Sequence, residues 1–157
     1  MRVTIKNGDE WQRTHAKGFA SWFETKYLSG VSKGLCLRIH ILPYVEGVNI
    51  GECECSDNPP FPKKFLITIG ATDDMSKRDF IMALAHEMVH LKQYALNELR
   101  DNHKTKKTFF HRKSYSFDME YWEQPWEIEA YGMERGLLHR YAEFAGFYDE
   151  VVKRGYD

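Results

Sequence analysis

Residues 80–91 have the sequence Phe-Ile-Met-Ala-Leu-Ala-His-Glu-Met-Val-His-Leu, and their only polar side chains are those of His86, Glu87 and His90. A helix with so few polar positions is predicted to be buried on nearly every side. Burying two imidazoles and a carboxylate costs several kcal/mol unless they are paired or bind a metal ion. These three residues are therefore expected to meet partners from elsewhere in the chain.

The pattern around this stretch predicts an α+β fold. Ser76, followed three residues later by Asp79, is a variant of the capping box and marks the start of the helix. Pro125 suits the first position of a last helix. We expect a small, mainly antiparallel sheet of about three strands, with the last two helices packed beneath it. The predicted elements are a helix over 9–28, strands over 35–42, 48–55 and 65–69, and helices over 77–99 and 125–144.

The composition is that of an ordinary globular protein. A length of 157 residues suits a single domain over 1–157, and a net charge of -1 gives no global preference for nucleic acid. No apolar run is as long as a signal peptide core or a membrane span, so we expect a cytoplasmic protein without a membrane partner. The three cysteines, Cys36, Cys53 and Cys55, are an odd set that favours neither a disulfide framework nor a zinc knuckle.

His86 and His90 have the spacing of two metal ligands on one helix. Residues four apart share a helix face, so both rings can direct a nitrogen at one point about 2.0–2.1 Å away, which is the zinc–nitrogen distance. Glu87, about 100° further round the helix, would point into the space beside the metal, where a general base is needed. A metzincin site is excluded, because Gln93 and Leu96 stand where that class requires Gly and His.

A catalytic zinc site needs a third protein ligand and one open position. Three histidines are candidates, at positions 103, 111 and 139, and so are two glutamates of the last predicted helix. Glu127 and Glu129 flank the apolar stripe of that helix at equal angles on opposite sides, so periodicity does not choose between them. One of the two is also explained as a carboxylate near a helix N-terminus, where the helix dipole stabilises it.

Two segments together resemble a known family. Residues 84–91, Leu-Ala-His-Glu-Met-Val-His-Leu, followed by Glu127-Ile-Glu-Ala, resemble the gluzincin pattern of HExxH on one helix and Glu-x-x-Ala on the next. Residues 121–132 are also similar to small phage-encoded and bacterial metallopeptidases, some of them grouped with SprT-like proteins. The resemblance implies a zincin-like fold and a zinc metallopeptidase that acts on peptides or proteins. It further implies Zn²⁺ on His86, His90 and Glu127, with Glu87 as general base.

The chain departs from the related families in two respects. SprT-like enzymes use a third histidine as a ligand, but His103 and His111 lie in no clear helix of this sequence and rank behind both glutamates. Many gluzincins carry Asp four residues after the ligand Glu, where it supports a histidine, but this chain has Tyr131, so the support for its histidines must differ. Tyr121 or Tyr131 is a candidate hydrogen-bond donor to an oxyanion. In zincins an edge strand near the active helix commonly aligns the substrate, and residues 65–69 are the predicted strand for this role.

Two other functions compete with proteolysis. A zincin-like fold can bind zinc and serve as an interaction or regulatory protein without turnover, and a metal-free scaffold can use the same polar cluster structurally. In addition, the segment 100–113 is basic, with Phe109 and Phe110 interleaved, and suits nucleic acid, an acidic partner or a solvated hairpin. Its charged residues are Arg100, Lys104, Lys106, Lys107, Arg112 and Lys113, against the single acid Asp101.

Overall fold

The computed structural model describes residues 1–43, 50–57, 61–72 and 74–152. Within these residues the fold is α+β, which confirms the predicted class. The strands are β1 (Arg2–Lys6), β2 (Cys36–Pro43), β3 (Gly51–Cys55), β4 (Lys64–Ala71), β5 (Leu99–Asn102), β6 (Lys107–Phe110) and β7 (Lys113–Ser116). The α-helices are α1 (Glu10–Phe23), α2 (Lys77–Ala95), α3 (Pro125–Ala145) and α4 (Tyr148–Val151).

The main sheet has four strands in the order β1-β2-β4-β3. The first three of these are parallel to one another, and β3 lies antiparallel to β4 at the edge. The predicted mainly antiparallel sheet of three strands is therefore wrong for this layer. Side-chain alternation is the same in parallel and antiparallel strands, so it does not reveal strand direction. In addition, the five-residue β1 was not predicted.

The edge strand also differs from the prediction. Residues 65–69 lie in β4, which has β2 on one side and β3 on the other, so they cannot accept an added strand. Among the described strands of this sheet, the edge next to α2 is β3. The predicted strand 48–55 is present from Gly51 onward, and its residues 48–49 lie outside the described residues.

A hydrophobic core lies between the main sheet and the helices. Phe19 and Phe23 of α1 and Ile39 and Ile67 of the sheet are buried completely, as expected for apolar positions that alternate or recur once per helical turn. Helix α2 is buried at every position from 84 to 91. No helix among the described residues combines the length and apolar character needed to cross a bilayer.

Local signals account for the ends of α2 and α3. The Ser76 hydroxyl accepts a hydrogen bond from the Asp79 amide, which caps α2 as predicted. The helix ends at Ala95 instead of position 99, because Asn97 takes a left-handed conformation with φ 57° and the chain turns into β5. Pro125 is in the first turn of α3, and Gly146 ends that helix with φ 80°.

The basic segment between these helices forms a second, three-stranded antiparallel sheet in the order β5-β6-β7. His111 and Arg112, with φ of 44° and 69°, form the two-residue turn between β6 and β7. Leu99 and Phe110 pack with Trp126 of α3 in a small separate core. The sheet agrees with the solvated hairpin that was one of the interpretations of this segment, but no strand bounds were predicted, because much of its surface is solvent-facing and its hairpin turn lacks the usual glycine.

Candidate metal centre

A cleft of about 600 Å³ lies between β3, α2 and α3. His86, Glu87 and His90 line it from α2, and Glu127 lines it from the first turn of α3. All four residues are nearly buried, with exposed fractions between 5% and 9%. The structure therefore brings together the four residues that the sequence singled out, and it leaves one side of them open to the cleft.

The two imidazoles and the Glu127 carboxylate face one point. His86 Nε2 and His90 Nε2 are 3.1 Å apart. His86 Nε2 is 3.3 Å from Glu127 Oε2, and His90 Nε2 is 3.3 Å from Glu127 Oε1. Ligands on a tetrahedral zinc with bonds of about 2.0–2.1 Å lie about 3.3–3.4 Å from each other. The three residues therefore have the spacing of ligands that could hold a zinc ion.

The outer nitrogens of both rings have their own partners. His86 Nδ1 lies 3.1 Å from Glu134 Oε2, and His90 Nδ1 lies 2.9 Å from Gln93 Oε1. The Gln93 amide is oriented by its nitrogen, which donates to the Trp126 carbonyl at 3.0 Å, so its oxygen must face His90. Both partners are acceptors, and each Nδ1 therefore carries a proton. In the neutral rings, both Nε2 lone pairs then point into the space between them.

Two nitrogen lone pairs and a carboxylate in one small buried space repel each other unless a cation lies among them. That cation is either a metal ion or a proton. Burial lowers the pKa of His86, but its hydrogen bonds with Glu127 and Glu134 outweigh this and raise it to about 9. Burial alone would raise the pKa of Glu127, but the neighbouring imidazoles hold it well below its usual range. The arrangement thus favours an anionic carboxylate beside a bound positive charge.

Glu87 stands next to this group without facing it. Burial raises its pKa to about 7, although the charges of His90 and His86 partly oppose this effect. A carboxylate with such a pKa can both accept and return a proton near neutral pH. The backbone of Gly51 in β3 packs directly against it, since a Cβ atom at position 51 would lie 2.5 Å from Glu87 Oε1. Edge strand and carboxylate therefore share one wall of the cleft.

The two tyrosines considered from the sequence both line the cleft. Tyr121 donates a hydrogen bond from its hydroxyl to Glu127 Oε2 at 2.7 Å, and its own hydroxyl oxygen is 3.4 Å from that of Tyr131. The ring of Tyr131 packs edge-on against His86 at 4.5 Å between centroids. Tyr121 thus orients the carboxylate, and Tyr131 covers one imidazole.

Sequence reasoning missed the two residues that orient the histidines. Glu134 is seven positions after Glu127, two helical turns along α3, and this spacing was the available signal. Gln93 follows His90 by three positions, one turn further along α2, but from the sequence it served only to exclude metzincins. Their carboxylate and amide contact the outer nitrogens of the two histidines, so they are the groups that orient these rings here.

Glu129 lies outside this group. Its carboxylate oxygen Oε1 is 2.6 Å from Lys92 Nζ, and the same ammonium is 3.0 Å from Glu98 Oε2. His111 Nε2 is 3.7 Å from Glu129, so Glu98, His111 and Glu129 form a second group with metal-like spacing. Lys92 already supplies a positive charge to both carboxylates, and this second group is a salt-bridge cluster.

The remaining histidine candidates lie away from the cleft. The ring of His103 packs against Phe117 in the turn region of the second sheet, and His139 Nδ1 is 3.3 Å from the Tyr148 hydroxyl. Neither belongs to the described cleft lining.

Searches against protein-family models, curated proteins and solved structures found no match to this chain. What the protein does must therefore be inferred from the chemistry of its own residues.

Proposed function

We propose that this protein is a zinc-dependent metallopeptidase of the zincin type, in which His86, His90 and Glu127 hold the ion. The observation that carries the proposal is the convergence of two imidazole lone pairs and one carboxylate at the spacing of tetrahedral zinc ligands. Two nitrogens and one oxygen, with an open side toward a cleft, form the donor set of a catalytic zinc site.

A zinc ion at this position would act as a Lewis acid on a substrate carbonyl and would acidify a water molecule. Glu87 would accept a proton from the attacking water and pass it to the leaving amine, and its raised pKa of about 7 supports both transfers. Glu134 and Gln93 hold the imidazole rings in the tautomer with a free Nε2. The hydroxyl of Tyr131 is the candidate donor to the oxyanion, because Tyr121 already donates to Glu127.

The shape of the cleft supports an extended peptide as substrate. Strand β3 forms one wall, and β4 is its only hydrogen-bonded neighbour among the described strands. Its other edge has no strand partner within the described part of the chain, and a substrate backbone that paired with it would bind in a way common for peptides. Gly51 has no side chain to hold such a backbone away from Glu87.

Metal analysis and one substitution test the proposal. We expect one zinc per chain after purification without chelator, and cleavage of casein or a mixed peptide pool by the zinc-loaded protein. Glu87→Gln should abolish cleavage but keep the zinc, because Glu87 does not face the ligand atoms. Glu129→Gln is the matched control, since it removes a carboxylate from the same region of α3 but outside the metal group.

Two results would decide against the proposal in different ways. A zinc content near zero would leave the cluster as a structural feature of a metal-free scaffold. Stoichiometric zinc without cleavage of any substrate in a broad panel would favour a zinc-binding interaction or regulatory protein. Loss of zinc from Glu127→Gln but not from Glu129→Gln would support the choice of the third ligand.

A further inference from the structure

The charged side chains that line the cleft are mainly carboxylates. Its described lining includes no lysine and no arginine. A zinc ion would add two positive charges, which match the two carboxylates nearest to it, those of Glu87 and Glu127. The lining holds three further carboxylates: Glu134 has His86 as its partner and Asp79 accepts a hydrogen bond from Ser76, but neither they nor Glu52 face a lysine or arginine of the described lining.

Two of these carboxylates lie at one end of the cleft. Asp79, Met82 and His86 recur at positions that share one face of α2, so Asp79 lies beyond His86 toward the start of that helix. Glu134 reaches the same end from α3, because it contacts His86 on the side facing away from His90. The opposite end, beyond His90, is apolar and aromatic, with Tyr94, Leu99 and Trp126.

The walls at the acidic end are partly apolar. Met75 and Met82, both half-buried, line the cleft beside Asp79. A subsite with apolar walls and carboxylates beside them suits a long aliphatic side chain that carries a positive charge at its tip, as lysine and arginine do. A neutral aliphatic residue would bury the same stem without any partner for the carboxylates, and an acidic residue would be repelled.

An exposed aromatic cluster stands near the same end. Tyr121, Trp122 and Tyr131 contact one another, with Trp122 centroids 5.1 Å from Tyr121 and 5.2 Å from Tyr131. Trp122 is 71% exposed, and Tyr131 precedes Glu134 by one helical turn. Exposed aromatic faces attract cations, most strongly guanidinium groups, and the neighbouring carboxylates would repel phosphate. The cluster therefore favours a cationic ligand over a nucleic acid.

We infer that the cleft selects substrates with a lysine or arginine side chain next to the scissile bond, bound at the end formed by Asp79, Glu134 and Tyr131. This inference rests on the proposed peptidase function. It specifies the substrate class for that site.

Binding can be measured without turnover in the zinc-loaded Glu87→Gln protein. The probes are labelled peptides that differ at one position, with arginine or its uncharged isostere citrulline, scanned through every position of a neutral sequence. At one position we expect the arginine peptide to bind about tenfold more tightly or better at low salt, and the ratio to shrink as salt screens the charges. The wild-type protein should show the same ratio in kcat/KM.

Asp79→Asn tests the subsite directly. The variant keeps an oxygen to accept the hydrogen bond of Ser76, so α2 should remain capped. We expect the arginine-to-citrulline ratio to fall about threefold to tenfold, which is the effect of one partly exposed charge pair. Glu143→Gln removes the same charge from an exposed position of α3 outside the cleft lining and should leave the ratio unchanged.

An arginine-to-citrulline ratio near one at every position would overturn the inference, and so would a preference for acidic residues. The inference would also be overturned if Asp79→Asn and Glu143→Gln lowered this ratio equally. Failure of the proposed function has another signature. In that case the zinc-loaded wild type cleaves no peptide of the set, while the binding ratio of the Glu87→Gln protein still decides whether the cleft selects cations.

Discussion

Gly51→Ala is expected to remove turnover while leaving the fold and the zinc in place. The added Cβ atom would lie 2.5 Å from Glu87 Oε1, 2.9 Å from Cγ and 3.0 Å from Cδ. Favourable contacts between such atoms begin at about 3.5 Å, so the carboxylate has to retract by roughly 1 Å. Glu87 is only 5% exposed, and the open space that it borders is the cleft, so a retracting carboxylate would leave its place on the wall next to Gly51.

The magnitude follows from the role proposed for Glu87. A positioned general base contributes about 10²–10⁴-fold, and a misplacement of about 1 Å costs on the order of 10²-fold. We therefore expect kcat to fall by about 10²-fold or more. The backbone at position 51 has no positive φ, so alanine itself is not strained there, and a shift of the Glu87 rotamer costs about 1 kcal/mol of folding free energy.

The assay combines peptide turnover, zinc content and a thermal melt on the same preparation. Gly136→Ala is the matched control, because a Cβ atom at this exposed position of α3 meets nothing within 4 Å. It should keep full turnover and raise the free energy of unfolding by up to about 1 kcal/mol. If a folded, zinc-loaded Gly51→Ala protein kept wild-type turnover, then either position 51 does not contact Glu87 or Glu87 is not the general base.

Three further outcomes are expected. Glu134→Gln should weaken zinc binding about tenfold to 100-fold in a chelator competition, because His86 loses a charged partner, and unchanged affinity would contradict this. Zinc removal should lower the thermal midpoint, by the equivalent of about 4 kcal/mol where free zinc had exceeded its Kd about 1,000-fold. Burial raises the pKa of Glu129, but the neighbouring Lys92 outweighs this effect and lowers the pKa below its ordinary value. The salt bridge therefore stabilises the fold at pH values above the ordinary carboxyl pKa, and this stabilisation is lost as the pH falls through the lowered pKa. Glu129→Gln should therefore flatten the acid side of the stability curve in urea unfolding, and an unchanged slope would count against the salt bridge.

Helices were predicted well because their signals are local. The Ser76 cap, Pro125 and the apolar run of α2 act within a few residues of one another, and their effect does not depend on distant contacts. The main sheet was predicted poorly, because strand direction and neighbours depend on pairing between distant segments. For the second sheet a solvated hairpin was considered, but its strand bounds were not predicted because its exposed, basic strands lack an apolar alternation over most of their length.

By itself, the sequence determined that His86 and His90 share one helix face with Glu87 beside them, since this follows from 3.6 residues per turn. Its periodicity did not distinguish Glu127 from Glu129, because both lie at equal angles from the apolar stripe of α3, and only the resemblance to the Glu-x-x-Ala pattern favoured Glu127. Only the packing of α3 against α2 decided between them: it brings the first to the imidazoles and the second to Lys92. The same packing recruits Glu134. Periodicity sets the angle of a side chain on its own helix, whereas the neighbouring helix determines its partner.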